Sequence, residues 1–169
     1  MTMPDPFVLR PIPLTAEAFA PFGQVIETDY EKSYLINEGT TRRFHDLAQV
    51  DVTGEEAEVI LSIFRGTPRA LPITISMLER HPLGSQAFIP MHPDPWLIVV
   101  AQGESPTAEN CRAFFASGQQ GVQYARNIWH HPLLVLAPLQ EFLVVDRKGK
   151  GNNLEERWFK DQTAVLQIP

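Results

Sequence analysis

The segment LPITISMLERHP, residues 71–82, carries the pattern that decides the fold. Successive side chains of a β-strand point to opposite faces, so a pattern that repeats every two residues predicts a half-buried strand. The even-numbered positions are mostly polar, whereas the odd-numbered row begins apolar and ends in ionisable groups: Ile73, Ile75, Met77, Glu79 and His81. We therefore expect Glu79 and His81 to point into the protein, and Arg80 to point away from it.

The next segment, HPLGSQAFIPM at 81–91, predicts a turn followed by a returning strand. A β-hairpin there would bring Gln86 close to His81. Burying an unpaired polar group costs roughly 2–7 kcal/mol, so these inward groups must face one another, a ligand or an ion. Imidazole, carboxylate and amide oxygen together suit a divalent ion such as nickel, zinc, manganese or iron. The same groups could also form an acid/base pair without a metal.

The remainder of the chain predicts many short strands and few helices. Fifteen prolines and ten glycines are spread through 169 residues, 44% of which are hydrophobic. A short helix is expected in TAEAFAPFG at 15–23, with Thr15 as its N-cap, and strands are expected at 59–65 and 96–101. Nine or more strands with so little helix favour a mainly β fold, a sandwich or a barrel, in one domain covering residues 1–169.

Composition narrows the range of partners. The net charge is −6 with no basic tract, which argues against nucleic acid. The longest apolar run, WLIVVA at 96–101, is too short to span a bilayer, so no membrane partner is expected. Phosphate-loop, GxSxG, CxxC and HExxH motifs are absent from the sequence. A small-molecule partner remains the expectation.

Cys111 is the only cysteine, so an internal disulfide is impossible. The first residues, MTMPDPFVLRPIP, do not have the pattern of a signal peptide, and a cytoplasmic location is the default expectation. No local signature supports Cys111 as a nucleophile. We therefore interpret it as a structural residue.

Two further segments offer site residues. In YARNIWHHPL at 124–133, adjacent His130 and His131 must face opposite ways on a strand, and the alternation does not say which one points inward. We expect His131 at the surface and Trp129 near the rim of the core.

Ten of the 14 basic residues are arginine, whose planar fork matches a carboxylate. Arg43, with His45 and Asp46 beside it, is a candidate clamp for an anionic substrate, and Arg126 is another. The competing interpretation of Arg43 is a solvated loop in which it pairs with an aspartate.

Residues Glu79, His81 and Gln86 resemble a first cupin motif, H-x-H-x4-E, with Glu and Gln replacing its first and last members. GVQYARNIWHH resembles a shortened second cupin motif with His130 at the ligand position. Longer strings are similar to bacterial ureidoglycolate lyases: RFHDLA, LPITISMLERHPLGSQAFIPM, GQQGVQYARNIWHHPL and FLVVDRKG, in the same order between about residues 7 and 153.

This resemblance implies a cupin-type double-stranded β-helix (jelly-roll) barrel with a few short helices, and a homodimer. It implies cleavage of ureidoglycolate to glyoxylate and urea in allantoin catabolism, stimulated by a divalent metal, with nickel the usual candidate. On this basis Glu79, His81 and His130 are the expected catalytic residues. A metal would be held by His81, Glu79, Gln86 and His130. The expected substrate-binding residues are Arg43, His45, Asp46, Arg126 and Trp129.

Two alternatives stay open at this point. The chain could be another cupin enzyme, an isomerase or dioxygenase acting on a small hydroxy acid in the same pocket. It could also be a non-catalytic barrel that binds a small molecule, in which case a ligand would raise the melting temperature without turnover.

Overall fold

A computed structural model describes residues 4–168 and shows a mainly β protein with a few short helices, which confirms the predicted fold class. The strands are β1 Phe7–Leu9, β2 Ile12–Pro13, β3 Gly23–Ile26, β4 Ser33–Ile36, β5 Thr41–Phe44, β6 Glu58–Gly66, β7 Ile73–Ile75, β8 Met77–Arg80, β9 Gln86–Pro90, β10 Trp96–Ala101, β11 Arg112–Ala116, β12 Gly121–Tyr124, β13 Trp129–His130, β14 Leu134–Val135, β15 Gln140–Lys148, β16 Glu155–Trp158 and β17 Ala164–Leu166.

The α-helix, α1, spans Ala16–Phe19 and begins where the sequence predicts. The Thr15 hydroxyl accepts a hydrogen bond from the Ala18 backbone N–H at 3.1 Å, which is N-cap geometry. Three short 3-10 turns lie at Tyr30–Lys32, Asn37–Gly39 and Ala108–Asn110. Within residues 4–168 no helix has the length and hydropathy needed to cross a bilayer.

Two large sheets hold most of the strands. One has the order β16-β8-β13-β10-β11-β2, with β14 also paired to β10, and the other has the order β3-β12-β9-β15-β6. A small sheet, β1-β17-β7, joins the two ends of the described chain, and β4 and β5 form a separate two-stranded hairpin. This arrangement is consistent with the expected cupin-type barrel.

Strand β10 contributes to two hydrophobic clusters because both of its faces are covered. Trp96, Ile98 and Val100 pack in the first cluster, which includes aromatic residues of β9, β12 and β15. Leu97, Val99 and Ala101 pack in the second cluster, which is closed by residues of β1, β7 and β17. The fully apolar sequence of β10 is thus explained by burial on both sides.

The expected continuous row from Ile73 to His81 is wrong. The strand breaks at Ser76, whose carbonyl accepts a hydrogen bond from the Phe159 N–H at 2.9 Å, and β7 and β8 belong to different sheets. Leu78, an even-numbered residue, therefore joins Ile73 in the second cluster. Glu79 faces the other way, toward the first cluster, so its inward orientation was predicted correctly but for an incorrect reason.

The hairpin expected at 81–85 is also absent, because β8 and β9 pair with different strands in different sheets. The connecting segment pairs instead with residues 51–53, through the bridge between Val52 and Gly84. The predicted proximity is nevertheless confirmed, since His81 Nε2 lies 3.1 Å from Gln86 Oε1. The connection brings these two residues together as it passes from one large sheet to the other.

Candidate active site

Glu79, His81 and His130 meet at one point, with one ligand atom from each lying within 4.8 Å of the others. Glu79 on β8 is directly opposite His130 on β13, and antiparallel partners present their side chains on the same face. The Glu79 Oε1 atom is 3.6 Å from His130 Nε2 and 3.9 Å from His81 Nε2. The convergence of these three residues, predicted from the sequence, is confirmed.

Backbone carbonyls determine which nitrogen of each imidazole carries the proton. A carbonyl only accepts hydrogen bonds, so His130 Nδ1 donates to the Ile128 carbonyl at 2.9 Å. The His81 Nδ1 atom donates to the Asn153 carbonyl in the same way, at 2.8 Å. In the neutral form of each ring, the Nε2 lone pair then points toward the Glu79 carboxylate.

The orientation of Gln86 is set from behind by Asp146. The Gln86 amide NH2 donates to Asp146 Oδ2 at 3.1 Å, so the amide oxygen is the atom that faces His81 Nε2. His130 Nε2 is buried and has no hydrogen-bond partner among residues 4–168. Lone pairs of the two Nε2 atoms, the Gln86 amide oxygen and the Glu79 carboxylate therefore face one another without a hydrogen-bond donor between them. A cation or a shared proton would stabilise this arrangement.

The charge states follow from burial and from these neighbours. Burial alone would raise the pKa of Glu79, but the nearby imidazole of His130, with smaller contributions from His81 and His131, lowers it below the ordinary value. Burial and the neighbouring His130 lower the pKa of His81. An ionised carboxylate beside a neutral His81 is thus the state expected at neutral pH.

Tyr124 on β12 forms the back wall of this cluster. Its ring stacks on the His130 imidazole with a centroid separation of 4.1 Å and an angle of 6° between the planes. Burial, with the charge of Glu79 adding to it, raises the pKa of Tyr124, so the phenol stays protonated. The stacked ring restricts the orientation of His130 and excludes water from one of its faces.

A cavity of about 550 Å³ opens beside the cluster and reaches Glu79. The cavity lining combines apolar residues with polar and basic ones and includes Phe64, Phe88, Leu133, Thr67, Arg65 and Arg69. Neither arginine is among the substrate-binding residues expected from the sequence. The only sequence feature that marks Arg69 is its position between two prolines, Pro68 and Pro72, just before β7.

The donor set fits a divalent metal. Two imidazoles whose Nε2 atoms face one carboxylate make an ordinary ligand set for nickel, zinc or iron. Each imidazole donates its other N–H to a carbonyl, the arrangement that usually orients metal-bound histidines. The unpartnered His130 Nε2 is the atom that most requires such a partner.

Trp129 lies on the opposite face from His130 and packs in the second hydrophobic cluster. The Arg80 guanidinium lies 4.6 Å from the centre of its ring, and its indole N–H has no hydrogen-bond partner among residues 4–168. The structure therefore does not bring Trp129 to the cavity beside Glu79, and its expected role in substrate binding finds no support in this placement.

Arg43, His45 and Asp46 lie on or just after the β4–β5 hairpin rather than beside Glu79. Arg43 is opposite Tyr34 in the hairpin, and the His45 ring packs against the Tyr34 ring at 5.7 Å. No hydrogen bond or ion pair links these three residues to the cluster within residues 4–168. To act as a clamp for the substrate carboxylate, these residues would need a contact with the cluster around Glu79.

Arg126 is paired with Asp51, whose Oδ2 atom is 3.4 Å from Arg126 Nε. It borders a separate polar cleft with Gln123 and Ser85, not the cavity that reaches Glu79. Arg126 is therefore close to His130 in sequence, but its side chain faces another surface.

The expectation that His131 lies at the surface is wrong. Its side chain is buried, and its Nδ1 atom lies 2.8 Å from the Pro132 carbonyl. Burial lowers the pKa of His131 to about 4. The reason is that both faces of this sheet are covered, so neither of two adjacent histidines can reach solvent.

The sequence matches the family described as ureidoglycolate lyase over residues 7–166. It is 54% identical to "Ureidoglycolate lyase 1" of Rhizobium meliloti (strain 1021), over 93% of this chain and 92% of the relative. It is 56% identical to a ureidoglycolate lyase of Brucella anthropi, over 92% of each chain. A third relative, from Pseudomonas fluorescens (strain Pf0-1), is 53% identical over 93% of this chain and 95% of its own.

Proposed function

The chain belongs to the ureidoglycolate lyase family, and we propose that Glu79, His81 and His130 form the centre at which it cleaves its substrate. Family membership makes the protein a carbon–nitrogen lyase that converts ureidoglycolate to glyoxylate and urea. The observation that carries the site assignment is the buried, unpartnered His130 Nε2 atom facing the Glu79 carboxylate.

The reaction requires proton movement but no water. The hydroxyl and ureido groups of the substrate are on one carbon, so loss of the hydroxyl proton forms the carbonyl of glyoxylate as the C–N bond breaks. The electron pair of that bond leaves with the ureido nitrogen, which takes up a proton to become urea. Atoms therefore balance without hydrolysis.

Glu79 suits the role of proton carrier in this scheme. Its pKa is lowered by His130 despite the opposing effect of burial, so it is ionised and ready to accept the hydroxyl proton at neutral pH. Because the leaving nitrogen is attached to the same carbon, the same carboxyl group can return that proton to it. Tyr124 and the two backbone-anchored imidazoles maintain the orientation of the site around this carboxyl group.

We further propose that His81, His130 and Glu79 hold a divalent metal, with Gln86 at the edge of the set, and that nickel is the candidate. A bound cation would lower the pKa of the substrate hydroxyl and stabilise the developing oxyanion. The protein's own contribution is to present two Nε2 lone pairs, whose direction is fixed by the Asn153 and Ile128 carbonyls.

Metal binding is tested by titrating nickel or cobalt into metal-stripped protein and following the ligand-field absorption bands together with calorimetry. We expect one site per chain, and a loss of affinity of about 10- to 100-fold or more when His81 or His130 is replaced by alanine. His92→Ala is a matched control, because this half-buried histidine lies outside the cluster and pairs with Glu141. Equal affinity in all three variants would contradict the proposed metal site.

The activity is tested by incubating the protein with ureidoglycolate and measuring glyoxylate, urea and ammonia separately. We expect glyoxylate and urea in equal amounts and no ammonia. Ammonia in place of urea would indicate hydrolysis of the ureido group. No product from folded, metal-loaded protein would favour another hydroxy-acid enzyme or a non-catalytic binding barrel.

We also propose that the protein acts as a homodimer in the cytoplasm, as the family resemblance implies. An exposed apolar surface supports the dimer: Val59, Leu61 and Ile63 point outward from β6, the edge strand of the five-stranded sheet. Sedimentation equilibrium on Leu61→Glu, with Leu154→Glu as an exposed control, tests this surface. A dimer that persists in Leu61→Glu would exclude it.

A further inference from the structure

The cavity beside Glu79 must accept an anion while it contains an ionised carboxylate. Ureidoglycolate and glyoxylate both carry a carboxylate, which the Glu79 charge repels. A cation on the cavity wall would offset this repulsion and orient the substrate. The two arginines that line the cavity, Arg65 and Arg69, are the candidates.

Arg65 is already engaged. Its Nε and Nη2 atoms lie 3.2 Å and 3.0 Å from Glu141 Oε2, and the other oxygen of that carboxylate lies 3.3 Å from His92 Nε2. The charge of Arg65 is therefore balanced by Glu141 at the rim. A substrate carboxylate would have to compete with a carboxylate of the protein for this arginine.

Arg69 has no such partner. Within residues 4–168 its side chain makes no ion pair and no hydrogen bond, and it is exposed at the cavity wall. Arg69 is thus a cation on the wall of the cavity that also contains Glu79, and no carboxylate among residues 4–168 neutralises it.

The segment that carries Arg69 is restricted in conformation. It connects β6 to β7 with the sequence TPRALP, residues 67–72, and prolines 68 and 72 flank the arginine on either side. A proline ring fixes one backbone angle, so a chain with two of them loses less conformational freedom when a ligand binds. The guanidinium is therefore supplied by a short and preorganised connection.

We propose that Arg69 is the residue that binds the substrate carboxylate, and that it makes the enzyme selective for the anionic ureido acid over its uncharged amide. This assignment rests on the proposed function of the Glu79 site. It replaces Arg43, which lies on the β4–β5 hairpin, and Arg126, which pairs with Asp51. A bidentate guanidinium–carboxylate pair is among the stronger hydrogen-bonded contacts available to such a ligand.

The test compares Arg69→Gln and Arg69→Lys with the wild-type protein and with Arg65→Gln as the matched control. For Arg69→Gln we expect KM for ureidoglycolate to rise roughly 10- to 100-fold with a much smaller change in kcat, because a contact made equally in the ground and transition states is lost. Arg69→Lys should recover part of the loss, since it keeps the charge but not the fork. Arg65→Gln should change KM by no more than about threefold, as expected for a residue balanced by a protein carboxylate.

Two measurements separate this proposal from a general structural effect. The affinity for glyoxylate, measured by calorimetry, should fall in Arg69→Gln by the same factor as KM rises. The preference for ureidoglycolate over its amide should fall by a similar factor, whereas a loss of fold would lower both activities equally. Circular dichroism and melting temperature confirm that each variant is folded.

Unchanged KM and glyoxylate affinity in Arg69→Gln would overturn the proposal, as would an equal loss in Arg65→Gln. The failure of the proposed function is a separate outcome. If wild-type protein binds glyoxylate but does not cleave ureidoglycolate, the lyase chemistry is disproved. Dependence of that binding on Arg69 would still support the carboxylate contact.

Discussion

The two hydrophobic clusters on either side of β10 differ in what they enclose. The first cluster is rich in aromatic residues and ends at Tyr124, next to His130 and the cavity that reaches Glu79. The second cluster is built from aliphatic residues, Trp129 and the free Cys111, and the strands β1 and β17 cover it. One strand therefore supports a reactive site on one face and a closed apolar core on the other.

Only a small part of the chain takes part in the chemistry. Neighbouring residues of β8 have opposite roles because they lie on opposite faces: Leu78 is fully buried in the second cluster, and Glu79 joins the two histidines. On the cavity side, backbone carbonyls accept hydrogen bonds from the Nδ1 atoms of His81 and His130, whereas His130 Nε2 has no partner among residues 4–168. A polar group on the closed side would have no such partners and would destabilise the fold.

The largest expected effect comes from Glu79→Gln, which removes the proton acceptor and keeps the shape. We expect turnover to fall by about 10²- to 10⁴-fold, the usual contribution of a general acid or base. The measurement is the rate of glyoxylate formation, with melting temperature as a check on folding. Glu104→Gln, a change at an exposed carboxylate that pairs with Arg80, is the control and should leave the rate unchanged. Turnover of Glu79→Gln within a few-fold of wild type would remove Glu79 from the mechanism.

A substitution in the closed second cluster should lower stability and leave activity nearly unchanged. Leu97→Ala should lower the free energy of unfolding by about 2–5 kcal/mol, because it removes buried methyl groups and leaves a cavity. Activity measured well below the unfolding temperature should stay near the wild-type value. Leu97→Met, which nearly conserves volume, should cost less than about 1.5 kcal/mol. A strong loss of activity in stable Leu97→Ala would show that the two faces of β10 are coupled.

Arg80 lies between Glu79 and His81 in sequence, but its side chain is not part of their cluster. Its side chain turns the other way, with Nε 2.6 Å from Glu155 and Nη1 3.1 Å from Glu104. We expect Arg80→Gln to destabilise the protein by about 1–2 kcal/mol, through loss of a partly buried charge-assisted pair, and to leave kcat and KM unchanged. Urea denaturation and steady-state kinetics provide the two measurements. A large rise in KM would place Arg80 at the substrate, contrary to its orientation here.

The smallest effect on activity is expected at Cys111, because this thiol is buried in the closed second cluster. Burial raises the pKa of this thiol from 9.0 to about 12, and the charge of Arg112 opposes the rise. Between these two pH values the thiol keeps its proton in the native protein and loses it in the unfolded chain. The stabilisation from this difference is complete below pH 9 and is lost as the pH rises toward 12. At pH 9, iodoacetamide should label unfolded protein rapidly and native protein hardly at all, as mass spectrometry would show. Full labelling of native, active protein would contradict the closed second cluster.

Much of the fold class could be inferred from short stretches of the sequence. Short apolar runs punctuated by proline and glycine indicated strands, and Thr15 indicated the start of α1. The break at Ser76 could not be inferred, because it depends on β17 and β16 binding successive parts of one apparent strand. The absence of a hairpin at 81–85 has the same origin, since residues 51–53 compete for that segment.

For the site, local spacing indicated that Glu79, His81 and Gln86 are polar groups in or beside strands, because spacing is a local property of the chain. The alternation that suggested their burial is broken at Ser76. The motif resemblance had already selected His130, and the pairing of its strand with that of Glu79 explains how it completes the group. The three-dimensional fold alone shows that His131 is also buried and that Arg69 lies at the cavity with no partner among residues 4–168. These outcomes depend on strand pairing and on which charges meet across the fold. The contacts form between residues far apart in sequence, and no local pattern encodes the partner that each residue will find.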